Sequence, residues 1–70
     1  MSNPLTQRET QALQLAALGY QLKEAARELG IALDTLKDHH KSLRLRLRAR
    51  NIAQAVAIGV SSGFIFGVKQ

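Results

Sequence analysis

Apolar side chains return at helical spacing in four stretches of this 70-residue chain, and glycine or a polar turn separates them. In the first stretch they fall at Ala12, Leu13, Ala16 and Ala17, with Leu15 and Leu18 widening the face, before Gly19 offers a left-handed stop. Thr6-Gln7-Arg8-Glu9 has the form of a capping box, with Leu5 placed to staple onto the first turns. The second stretch sets Ala25, Ala26 and Leu29 on one side and Lys23, Arg27 and Glu28 on the other. Its small alanines suit a close helix crossing, although Gln21 and Leu22 supply no Ser, Thr or Asp cap. Gly30-Ile31-Ala32 makes the next turn, with Ile31 expected inside.

The third stretch has neither Pro nor Gly from Leu33 to Leu47. At about 100° per residue, Leu36, His39, Leu43 and Leu47 form an inward stripe. Asp34, Lys37, Asp38, Lys41, Leu45 and Arg48 form the opposite one. Leu43 to Arg50 also alternates strictly, which alone would suggest a strand; the stripe upstream makes helix the better reading. The fourth helix carries Ala53, Val56, Ala57 and Val60 and ends at Gly63, leaving Phe64-Ile65-Phe66 over. The pattern predicts one all-α domain over residues 1–70, with helices at about 6–18, 22–29, 33–47 and 51–62 and a tail over 63–70.

Charge changes the picture at one place. Residues 1–36 carry a net −1, whereas residues 37–50 hold Lys37, Lys41, Arg44, Arg46, Arg48 and Arg50 against Asp38 alone, a net +5. One basic block on a nearly neutral chain points to a polyanion, either nucleic acid or an anionic membrane surface, unless it is only a solvated helix face. Seventy residues support a marginal core, so self-association is expected. The absence of cysteine removes disulfide and thiolate chemistry and fits a reducing cytoplasm. Met1-Ser2-Asn3-Pro4 lacks the pattern of a secretory signal.

Catalysis finds no footing in this composition. The five acidic residues sit at capping and surface positions, with no paired carboxylates and no nucleophile beside a base. His39-His40 does not read as a metal site, because adjacent helical residues diverge and neither has a ligand four positions on. No catalytic residue, metal or cofactor is expected. Ile52 to Val68 is almost continuously apolar, with Gly59, Gly63 and Gly67 four apart. That spacing also fits a short membrane span with a G-x-x-x-G face, but Gln54, Ser61 and Ser62 interrupt it, and a soluble fourth helix is the better reading.

Taken in order, Leu5-Thr6, Arg8-Glu9, Leu13, Leu15, Gly19, Lys23-Glu24, Ala26, Leu29-Gly30-Ile31, Thr35, Lys37, His39, Leu47, Asn51 and Ala55-Val56 resemble the LuxR/GerE-type helix-turn-helix domain. The stand-alone GerE-like layout is the nearest. The resemblance implies that the third helix enters the major groove, with Lys37, Asp38 and Lys41 at base edges and Thr35 on phosphate. It also implies a fourth helix that pairs with its copy; Ala53, Val56, Ala57, Val60 and Phe64 are expected at that contact. His40, Arg44, Arg48 and Lys23 are expected at backbone phosphates.

Three departures stand out. Ala32 replaces the family's serine cap, at a cost of about 1 kcal/mol, which Asp34 in the first turn partly offsets. Ile52 replaces an arginine that pairs with the residue matching Glu9. Asp38 puts a negative charge on the groove face, where it accepts from a cytosine amine or repels phosphate. The expected function is a small cytoplasmic transcription regulator that binds double-stranded DNA as a homodimer. The alternatives are an interaction protein that pairs with a larger LuxR-type regulator through the fourth helix or tail, and a membrane-anchored DNA binder. The tail itself has three options: folding back on the core, extending the dimer contact, or docking another protein.

Overall fold

A computed structural model describes residues 3–67, and the described residues form four helices: α1 Gln7–Ala17, α2 Leu22–Leu29, α3 Leu33–Leu47 and α4 Ile52–Ser61. The alternating LRLRLRAR run is helical as far as Leu47, as the upstream stripe predicts. The last three residues of the expected tail, Val68 to Gln70, lie outside the described residues, as do Met1 and Ser2.

The ends of the helices follow their local chemistry. Thr6 Oγ1 accepts the Glu9 N–H at 3.1 Å while Glu9 Oε1 accepts the Thr6 N–H at 2.8 Å, completing the capping box. At α2 the cap that Gln21 seemed unable to provide is half supplied by Glu24, whose Oε1 accepts the Gln21 N–H at 2.8 Å. Gly30 then turns left-handed at φ +68°, which lets the Ile31 N–H reach back to the Ala26 carbonyl at 3.0 Å. Ala32 makes no side-chain cap for α3, in keeping with its chemistry. Asn51 Oδ1 accepts the Gln54 N–H at 2.8 Å to start α4, and Gln54 Oε1 takes the Arg50 N–H at 2.7 Å in return.

Arg48 stops α3 in a left-handed conformation, φ +56°, the one described non-glycine residue there. The turn lets the Ala49 N–H donate to the Arg44 carbonyl at 2.8 Å and sends the chain back toward α4.

The core lies where α1 meets α3 and α4. Leu13, Leu36 and Leu43 are wholly buried, joined by Leu5, Ala12, Ala55 and the alanine pair Ala25–Ala26 of α2. Those two alanines let α2 sit close on α3, the crossing a helix-turn-helix pair needs. Ile31, expected inside, is only half-buried against this cluster, and Leu18 lies outside, at the exposed end of α1.

The described part of the tail folds back on the core, the first of the three options. Ile65 is 5% exposed, packed over Gly59 of α4. Gln14 of α1 clamps the neighbouring backbone, its Oε1 accepting the Phe66 N–H at 2.8 Å and its Nε2 donating to the Phe66 carbonyl at 3.0 Å. The glycines spaced by four therefore do not line a single helix face. Gly59 admits Leu13 and Ile65, Gly63 turns the chain at φ +78° after α4, and Gly67 lies beyond it near Val60. No helix among the described residues is long and apolar enough to cross a membrane.

Candidate nucleic-acid interface

The third helix presents one clear outward row. Asp34, Lys37, Asp38, Lys41 and Leu45 are exposed, Leu45 by 71%, and Arg48 follows at the end of the helix. The regular spacing of α3 brings Lys37, Asp38 and Lys41 together within one and a half turns. No salt bridge among the described residues holds Lys37, Lys41, Arg44 or Arg48, and the two lysines and Arg48 are exposed. Thr35 is exposed on the other flank of α3, and Lys23 is exposed on the first turn of α2. Leu45 has no role in the core, and sequence reasoning assigned it none.

Arg44 and His40 differ from a simple exposed flank. Arg44 is half-buried, with its Nε donating to the His40 carbonyl at 3.3 Å. His40 is also half-buried, and its Nε2 is enclosed with no hydrogen-bond partner. That enclosed nitrogen cannot itself make the phosphate contact expected of His40. Burial, then Arg44, then His39, push the His40 imidazole below its ordinary value.

What holds the row in place is an ion pair behind it. Arg46 Nε lies 3.1 Å from Glu9 Oε1 and 3.2 Å from Oε2, linking α3 to the capping carboxylate of α1. Glu9 thus does find an arginine, though Ile52 denies it the one expected by resemblance. The partner is thirty-seven residues away in sequence, on the side of α3 opposite Lys37. Burial alone would raise the Glu9 carboxyl. Hydrogen bonds from Ser42 and the Thr6 backbone, together with the charge of Arg46, outweigh it and hold the carboxyl below the usual range.

A carboxyl depressed in the fold stabilises the protein above its ordinary value near 4.5 and loses that contribution as pH falls below it. Glu9→Gln keeps the capping geometry but removes the charge. Urea unfolding at pH 7 is expected to show a loss of about 1–3 kcal/mol, because the charge-assisted bonds weaken around a buried group. Between pH 5 and 3 the variant should lose less stability than the parent. Parallel pH profiles would show that Glu9 is not the titrating group.

The α4 residues expected at a dimer contact divide. Ala53, Ala57 and Val60 are exposed and Val56 is half-buried, so one side of the helix is apolar and open. Phe64 lies elsewhere: with Phe66 it borders a groove of about 330 Å³ lined also by Thr10, Gln14, Leu15 and Leu29. The fold-back of Ile65 carries it there. Among the described residues no three His, Cys, Asp or Glu side chains gather in a way that could hold a metal.

Comparisons with known proteins agree with this architecture. Residues 3–58 match the model of the family described as bacterial regulatory proteins, luxR family. An uncharacterized transcriptional regulatory protein of Bacillus subtilis (strain 168), YvfU, is 36% identical over 63 residues, which is 90% of this chain and 32% of the relative. The transcriptional regulatory protein DesR of the same organism is 33% identical over the same shares. The chain therefore spans about a third of the length of these curated relatives. The solved structure of the transcription factor GerE superposes with a TM-score of 0.86 at 25% identity, covering 91% of this chain and 96% of that one.

Proposed function

The chain belongs to the luxR family of bacterial regulatory proteins, and we propose that it is a DNA-binding unit of transcription regulation whose α3 reads the major groove and which acts as a twofold dimer. The observation that carries this reading is the exposed, unpaired row of Lys37 and Lys41 on a helix anchored from behind by Arg46 and Glu9. The two lysines are one turn apart, and Lys is a natural donor to guanine O6 and N7 on the groove floor. Asp38 between them accepts from a cytosine amine or weakens binding by repelling phosphate. Thr35, Arg44, Arg48 and Lys23 surround that centre and suit backbone phosphates. The open apolar side of α4, with Ala53, Ala57 and Val60, supports self-association, which would place two reading helices about one duplex turn apart, ~34–36 Å.

Selection of bound sequences from a random duplex pool tests the reading; enrichment of an inverted repeat is expected. On the selected site, Lys37→Ala should lower affinity about tenfold and relax sequence choice, since a bidentate base contact discriminates by about 1–3 kcal/mol. Arg44→Ala should weaken selected and random duplexes alike. Fluorescence anisotropy on both duplexes separates the two. If both variants lose the same factor on every sequence, the division of roles is wrong.

A second reading rests on Phe66, which is 82% exposed at the rim of the apolar groove. There the chain would pair with a larger regulator of its family. Duplex binding that stays absent at low salt would favour that reading over the first.

A further inference from the structure

Beside the outward row, α3 forms one wall of a cavity of about 470 Å³ lined by Leu22, Lys37, His40, Arg44, Asn51 and Ile52. Leu22 is the first residue of α2 and Ile52 the first of α4, so two helix starts open toward it. Lys37 and Arg44 bring two permanent positive charges, and no carboxylate of the described residues lines the space. His40, which borders it too, keeps an enclosed nitrogen without a partner.

We propose that this cavity seats a phosphate group of the DNA backbone and that His40 takes up a proton when it is filled. The inference rests on the DNA-binding reading above and adds to it a proton-linked anion seat. The charge balance supports it. Among the described residues, His40 faces Lys37, His39 and Arg44 on its own helix and uncharged Leu22, Asn51 and Ile52 from α2 and α4, so a third positive charge is opposed. A phosphate among them reverses the sign of the local field and favours the imidazolium. By linkage, any proton bound on complex formation makes affinity rise as pH falls. The depressed imidazole of the free protein agrees with the first half of this cycle.

The test follows both histidine rings by NMR in the whole chain, free, with a random-sequence duplex, and with inorganic phosphate alone. His40 is expected to titrate about one unit higher on the duplex than in the free chain. Over pH 7.5 to 5.5 the parent should then gain about three- to sixfold more duplex affinity per bound chain than His40→Leu or His40→Gln. Two variants are used so that a folding defect in one does not decide the result. Duplex binding with an unmoved His40, or equal pH dependence in parent and variants, overturns the seat while leaving the DNA reading intact. A response to inorganic phosphate but not to bound duplex overturns the DNA source of the anion. No duplex binding at any pH overturns the DNA reading itself.

Discussion

Raising monovalent salt from about 50 to about 200 mM is expected to weaken duplex binding by roughly 10³- to 10⁴-fold. The reason lies in the segment 37–50, which concentrates a net +5 in fourteen positions. In the fold its outward lysines and its half-buried Arg44 are left without acidic partners among the described residues. Each phosphate neutralised releases condensed counterions, and about six to eight contacts per dimer give a log–log slope of about −5 to −7. Arg46 should contribute least, since its guanidinium is already engaged by Glu9 at 3.1 Å. Arg44→Ala should flatten the slope by about one per chain, whereas Arg46→Ala should act mainly through stability. A slope shallower than about −2 would not fit a groove-docked basic helix and would turn attention to the Phe66 groove.

The features that were legible in the residues are those set by near neighbours. The capping box at Thr6 and Glu9, the left-handed stop at Gly19, and the inward stripe through Leu36 and Leu43 each depend on residues within a few positions, and each appears as its spacing implies. What could not be seen were pairings across the chain. Nothing near Glu9 announces Arg46, and the signal was only indirect: a buried capping carboxylate needs a counter-charge, and α3 has a basic residue on its inner flank. Gln14 gave no hint that it would hold the Phe66 backbone, because an amide on an exposed flank has many uses. His40 lies between the inward and outward stripes of α3, where a helical projection is least decisive. Its burial is decided by how closely α2 and α4 approach, which no local pattern encodes.

The same distinction bears on why the tail belongs to the fold. Leu13 is wholly buried and stands against Gly59, where an added Cβ would come within 2.9 Å of Leu13 Cδ2 and 3.0 Å of Ile65 Cγ1. Leu13→Ala is expected to cost about 2–5 kcal/mol, a large part of the roughly 4–10 kcal/mol that a domain of this size holds. Its melting temperature should fall by at least about 10 °C. Gly59→Val fails in the opposite way, by overpacking: the new side chain must displace Ile65 or Leu13 in a core with no spare room, at about 1–3 kcal/mol. The two defects share one contact. Truncating Leu13 removes the atom that the valine would strike, so the double variant should be more stable than the sum of the singles predicts, by about 0.5–2 kcal/mol. Urea unfolding of all four proteins measures this coupling. Strict additivity would mean that Gly59 and Leu13 do not meet.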